Sequence, residues 1–290
     1  MRKRMKFVIA FVLAVGLLIP TLALADSAPG DVIVTLGENL TDQQKKTLLN
    51  EMGVDETAEI VYVSNKEEHQ YLGNYMSKAD IGTRALSSSK ITLAEKGAGL
   101  TVQTNNITKI SEAMYANALV TAGVEDADIY VTAPIPVSGT AALTGLIKAY
   151  EITADIQIPE QQKQVANEEM VRTSELSQKF GAEDAAELMT RIKEELAKNP
   201  VQSEADLRDL IQRIAKELGL TLTDEELNGL VSLFMRMKDL NINWDNVQDQ
   251  ISKIRDNLGE FLSREETQTF IAKILDFIKQ IIEIIAGWFK

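Results

Sequence analysis

The sequence predicts an α+β protein: an N-terminal ferredoxin-like domain of split βαβ units, followed by an all-α helical domain. Three observations carry that reading. All six tyrosines lie between Tyr62 and Tyr150, whereas the six phenylalanines beyond residue 25 lie between Phe180 and Phe289. Ten glycines punctuate residues 26–158, against five in residues 159–290. Beyond Pro159 the chain becomes a succession of amphipathic segments with explicit start and stop signals. The expected units are therefore a signal peptide (1–25), an α+β domain (26–158) and a helical bundle (159–290).

The α+β elements follow from periodicity and punctuation. Val32-Ile33-Val34-Thr35-Leu36 reads as a buried strand. Thr41-Asp42-Gln43-Gln44 is a capping box, in which Thr41 and Gln44 each satisfy the other's free backbone donor, opening a helix to Met52 that Gly53 stops. Ile60 to Val63 is a second strand, and residues 66–77 read as a short helix. Lys90 to Leu93 and Leu100 to Thr104 are expected to pair as a hairpin around Lys96-Gly97-Ala98-Gly99. A helix follows from Thr108 to Ala122, stopped by Gly123. Asp128 to Thr132 is a strand ending in a Pro134/Pro136 turn, and Ser138-Gly139-Thr140 opens a helix to Tyr150. The segment Gly53-Val54-Asp55-Glu56 resembles Gly123-Val124-Glu125-Asp126, each ending a strand–helix passage and leading into a strand. The spacing suggests duplicated units in a two-fold layout, although helix-Gly-Val-acidic-strand is also a common connection.

Helices are expected at residues 160–180, 183–198, 203–218, 223–238 and 243–262. Gly181, Asn199-Pro200 and Gly219 stop the first three, while Ser203 and Thr223 open the third and fourth. Ser263-Arg264-Glu265-Glu266 caps a last helix, in which twelve large apolar residues among the twenty from Phe270 to Phe289 form two stripes that repeat at spacings of four and three. Lys273, Asp276, Lys279 and Glu283 exclude a transmembrane span. The central helix of a bundle, a self-association seam through residues 266–289, and an interfacial helix all fit.

The N-terminus carries Arg2, Lys3, Arg4 and Lys6, an apolar run from Phe7 to Leu24, and Ala23-Leu24-Ala25, the layout of a secretory signal cleaved after Ala25. The chain has 30 basic and 43 acidic residues, one histidine and no cysteine. Four bases and no acid lie in the first 25 residues, so the mature chain stands at 26 against 43, a net −17. Such an acidic surface disfavours nucleic acid, whose binding rests on Lys and Arg. The missing cysteines exclude disulfides, thiol nucleophiles and a lipoprotein anchor. The expected protein is secreted, extracellular or wall-associated.

Candidate chemistry is sparse. His69 sits in a polar run without a G-x-S-x-G elbow. Ser87-Ser88-Ser89-Lys90 has S-x-x-K spacing but enters a strand. Asp239 to Asp245 imitates an EF-hand start but has Trp244 where the turn needs glycine, and Gln250 where Glu should close the site. No Walker A motif or dinucleotide fingerprint occurs, so no cofactor or metal is expected. Val137-Ser138-Gly139-Thr140-Ala141-Ala142, at a helix start, offers free N–H groups and hydroxyls that could cradle an anion or simply cap the helix.

Asn106-Ile107-Thr108, Tyr115-Ala116-Asn117-Ala118-Leu119, Thr121-Ala122-Gly123 and the run from Val137 to Gly145 closely resemble the YpuA-like family of exported bacterial proteins of unknown function. The resemblance spans the chain and is densest over residues 81–151. It implies export but supplies no activity. It points to the same polar set as the residues do: Asn106, Thr108, Tyr115, Asn117, Thr121, Ser138, Gly139 and Thr140. The expected function is non-enzymatic binding of a cell-envelope component or envelope protein. The alternative is a secreted hydrolase or transferase using carboxylates or a Ser/Thr of the first domain.

Overall fold

Strand β1 (Val32–Gly37) is buried on both faces, which a strand achieves only inside a sheet covered on both sides. The structure is a computed structural model and describes residues 28–54, 58–240 and 242–263, with side chains as far as Asp256. The expected export signal and the helix expected over 266–289 lie outside the described residues. In chain order the elements are β1, α1 (Asp42–Glu51), β2 (Glu59–Val63), α2 (Asn65–Leu72), α3 (Lys78–Ile81), β3 (Ser88–Leu93) and β4 (Leu100–Ile107). Then come α4 (Glu112–Ala122), β5 (Ala127–Val137), α5 (Thr140–Thr153), α6 (Glu160–Phe180), α7 (Ala182–Lys198), α8 (Glu204–Glu217), α9 (Asp224–Asp239) and α10 (Trp244–Ser263).

The fold is mixed α and β, and its strand order, β2-β1-β3-β5-β4, corrects the split layout. A split βαβ unit has a strand between its two parallel members, but here β1 pairs directly with β2 and β4 directly with β5. Strand β3 lies between the two units, antiparallel to β1 and β5. The units are not related by a two-fold either, because β1 is interior while β4 is an edge. Their helices also cover opposite faces: α1 packs on Val34 and Leu36, whereas α4 and α5 share the core of Ile33, Ile91 and Ile129. The repeated Gly-Val has a local cause. Gly53 and Gly123 both take positive φ, and the next amides, Val54 N and Val124 N, close back on Leu49 O and Leu119 O. Both copies are the same helix-stop chemistry.

The expected β3–β4 hairpin does not form, because β5 enters between the two strands. Asp126, just before β5, accepts hydrogen bonds from Gly97 N (2.9 Å) and Gly99 N (2.7 Å), which holds the connecting loop open across the start of β5. Strand β5 also runs on through Pro134 and Pro136. Beyond Thr132 it has lost β3 as a neighbour, and its register with β4 jumps from Asn105–Thr132 to Ile107–Val137. The missing proline N–H groups therefore fall where no ladder bond is needed. The helix expected over 66–77 ends at Leu72, and Ser77 caps the separate short α3.

The capping boxes of Thr41, Ser203 and Thr223 form as their residue types require. A single apolar core runs from the sheet face through α4 and α5 into α6–α10, joining Ile91 and Ile129 to Met170, Leu188, Phe234 and Ile251. Composition changes at Pro159, but the packing continues across it. No described helix is long and apolar enough to cross a membrane.

Candidate functional site

Helices α2, α5 and α6 enclose a cleft of about 220 Å³. Each lines it with one stripe: Glu67 and Tyr71 from α2, Thr144, Ile147, Lys148 and Glu151 from α5, Lys163 and Asn167 from α6. The separations of three, four and seven are those that put side chains on one helix face. Helix α5 lies tight on the sheet at Gly145, where a Cβ would sit 2.8 Å from Thr35 Oγ1 and 2.9 Å from Val63 Cγ2.

The charged groups of the cleft are matched. Lys148 Nζ donates to Glu67 Oε1 (2.8 Å) and to the Tyr62 carbonyl (3.0 Å). Lys163 Nζ donates to Glu151 Oε2 (3.0 Å). The other oxygen of Glu151 accepts from Ile158 N (2.8 Å), tying down the α5–α6 connection. Burial alone would raise the Glu67 carboxyl, but hydrogen bonds from Lys148 and Ser64, with the Lys148 charge, outweigh it and hold the group below its ordinary range. Tyr71 donates to Glu160 Oε2 (3.4 Å), and burial plus the neighbouring glutamates push its phenol up to about 12.

Two polar atoms of the cleft are not matched. Thr144 Oγ1 and Asn167 Oδ1 are buried and have no hydrogen-bond partner among the described residues. Asn167 Nδ2 donates to the Lys163 carbonyl (2.8 Å), which fixes the amide so that its oxygen is the free acceptor. A buried unpaired group of this kind costs about 1–3 kcal/mol. Asn167 is 1% exposed and Thr144 5% exposed, and both line the same cavity.

The polar residues singled out in the sequence lie elsewhere, in two groups. The first surrounds the start of α5. Asn106, at φ +57 in the β4 bulge, donates to Ala133 O (2.9 Å), and Thr108 donates to Val137 O (2.9 Å). Tyr115 OH donates to Gly139 O (2.5 Å), Ser138 Oγ meets Thr140 Oγ1 (3.2 Å), and Thr140 donates to buried Glu68 (3.1 Å). Burial raises the Glu68 carboxyl despite the opposing hydrogen bonds from Asn65 and Thr140. Gly139 itself takes φ +97 as the N-cap of α5, so neither Ser138 nor Thr140 caps the helix. The second group faces the helices. Asn117 Nδ2 reaches Thr190 Oγ1 (3.0 Å), and Thr121 donates to Glu169 Oε2 (2.5 Å) beside the buried Lys193–Glu169 pair (2.8 Å). Asn106 and Thr108 are exposed, whereas the buried Tyr115, Asn117, Thr121 and Thr140 are spent on protein partners. They brace α4 and α5 rather than face a cavity. Thr108 lines the wider groove of about 450 Å³ beside the β4–α4 turn.

The remaining sequence candidates resolve simply. His69 shares a hydrogen bond with Gly82 O (3.0 Å); Ser87 is buried just before β3, and Ser88 and Ser89 are buried within it. Asn243 Oδ1 accepts from Asn246 N (3.1 Å), so the EF-hand-like stretch opens α10. Among the described residues no group of three His, Asp or Glu could hold a metal ion.

Residues 36–254 match the family model described as "Protein of unknown function (DUF1002)". The chain belongs to this family. It is 53% identical over 275 residues to "Uncharacterized protein YpuA" of Bacillus subtilis (strain 168), spanning 94% of this chain and 95% of that one. No solved structure matches. The family description assigns no activity, so function rests on the residues.

The cleft was not foreseen because its members are ordinary helix residues scattered over 100 positions. One signal existed: Asn167 stands with Glu168 and Glu169 between Val165-Ala166 and Met170-Val171, a polar run flanked by apolar pairs within one helix.

Proposed function

We propose that this member of the family is an exported, non-catalytic binding protein of the cell envelope, and that the α2–α5–α6 cleft holds the envelope component. Export rests on the basic, apolar and Ala-x-Ala succession of residues 1–25. The observation that carries the binding reading is the cleft's pair of buried, unpartnered polar atoms beside ion pairs that are already complete. Groups left unpaired in the protein at a stability cost are what a recognition site requires. The same inventory speaks against chemistry. A general acid needs a raised carboxyl, and Glu67 is held low. The Ser138–Thr140–Glu68 chain does join a hydroxyl to a raised carboxylate, but none of its members lines either cavity.

The test uses the mature chain, residues 26–290, incubated with solubilised wall material. Expected are calorimetric binding that Thr144→Val weakens and recovery of the bound material chemically unchanged. Time-dependent cleavage or group transfer seen by mass spectrometry would overturn the non-catalytic reading. Retention of an uncleaved chain in the cytoplasm would overturn export.

A further inference from the structure

We propose that the cleft recognises a single neutral, hydroxyl- and amide-bearing unit the size of one sugar residue, with an O–H or N–H of that unit given to Asn167 Oδ1 after a small shift of the lining uncovers this buried oxygen. This deepens the binding reading and rests on it.

Size sets the first limit. Pockets for drug-sized ligands run to about 300–1,000 Å³, so a cleft of about 220 Å³ admits something smaller. Charge sets the second. Lys148 and Lys163 already face Glu67 and Glu151 at 2.8 and 3.0 Å. Lys163 also lies 3.8 Å from Glu160. An anion would have to displace a carboxylate from its lysine, and a cation would have to displace a lysine from its carboxylate. Either exchange leaves one partly buried charge unpaired. A neutral ligand asks for neither.

Hydrogen-bond polarity sets the third. Asn167 offers only its acceptor oxygen, since the amide nitrogen is engaged with the Lys163 carbonyl. Thr144 offers a hydroxyl that can both donate and accept. The occupant must therefore carry at least one donor for Asn167 and a second polar group for Thr144. Tyr71 and Ile147 supply apolar wall on the same lining, suited to the C–H face of a sugar ring. A neutral polyol or acetamido sugar meets all of these conditions, whereas a purely apolar molecule would leave both polar atoms unmatched.

Full mature protein is titrated by calorimetry and ligand-detected NMR with N-acetylglucosamine and glucose as neutral probes. Glucosamine and glucuronate serve as cationic and anionic controls. The expected result is saturable binding of a neutral probe at about millimolar Kd, as ligand efficiency allows for so small a molecule. The charged analogues should bind at least about tenfold more weakly, which is the 1.4 kcal/mol of a partly unpaired charge. Asn167→Leu should reduce binding tenfold or more while its Tm stays level or rises, because the substitution also removes an unpaired buried oxygen. Thr144→Val provides the same reading should the leucine perturb the fold. Equal binding of charged and neutral probes, or full binding by both variants, would overturn the inference. If no sugar binds but wall material still discriminates wild type from the variants, the ligand class is wrong and the cleft reading stands. If wall material binds wild type and variants alike, the cleft reading itself falls.

Discussion

Replacing Lys193 with methionine removes one half of an ion pair that has almost no contact with solvent. Lys193 is 1% exposed and Glu169 is fully buried. The Lys193 ammonium donates to Glu169 Oε1 (2.8 Å), to the Asn117 carbonyl (2.8 Å) and more weakly to Thr121 Oγ1 (3.4 Å). Lys193→Met leaves the Glu169 carboxylate with the Thr121 hydroxyl as its remaining side-chain donor. Breaking a buried pair from one side costs about 3–5 kcal/mol, a large share of a total stability of about 5–15 kcal/mol. Glu169→Leu should cost less. Burial already drives the Lys193 ammonium below its ordinary range, so without its partner the amine can shed its proton. Lys193→Met with Glu169→Leu should recover most of the loss, since two apolar chains of similar volume carry no desolvation penalty. Urea unfolding at neutral pH, extrapolated to water, measures all four corners of the cycle. A Lys193→Met cost below about 1 kcal/mol, or a double variant as damaged as the sum of the singles, would refute the view that this pair braces α4 against α6 and α7.

Glu68 gives a pH test. Its folded carboxyl is raised, so the proton binds more tightly in the folded state than in the unfolded one. The resulting stabilisation is complete below the unfolded value and lost as pH climbs through the folded one. Glu68→Gln should therefore raise Tm at pH 8 and converge on wild type near pH 4; a gain that grows towards acid would contradict the argument. Gly139→Ala should cost about 2–5 kcal/mol, combining strain at φ +97 with a collision against Tyr115 OH and a 2.6 Å approach to Ile107 Cγ2. Tyr115→Phe should cost only about 1–2 kcal/mol for the buried bond to Gly139 O, and similar denaturation midpoints for the two variants would show that the Cβ collision is relieved. Asp126→Ala should speed amide exchange at Gly97 and Gly99, read by hydrogen-exchange NMR, because their carboxylate acceptor is gone; unchanged protection would mean that β5 is kept between β3 and β4 by other contacts.

The described helices beyond Pro159 were legible almost to the residue. Its starts and stops are local: Ser203 with Asp206, Thr223 with Glu226, and the stops at Gly181 and Gly219 act within one turn of the chain. Strand positions were legible too, although β4 and β5 run on past their expected ends at Thr104 and Thr132, but strand partners were not. Residues 94–99 look like a hairpin loop when only neighbours in sequence are considered. The competitor for β4 is β5, nearly thirty residues onward, and nothing between β3 and β4 announces it. The polar residues that stood out were conspicuous because buried hydroxyls and amides need designated partners. Thr121 has Glu169, Thr140 has Glu68 and Asn117 has Thr190. A sequence cannot distinguish a polar group kept for a ligand from one kept for another helix.

What the sequence determined by itself is what short-range chemistry decides: the acidic balance, the missing thiol chemistry, the helix ends and the strand segments. Tertiary structure alone decided strand order, the course of the core across Pro159, and the cleft. The physical reason is range. A cap or a turn closes within four or five residues, whereas Glu67, Thr144 and Asn167 become neighbours only after three helices have packed. Only then can the unpaired oxygens be told from the satisfied ones.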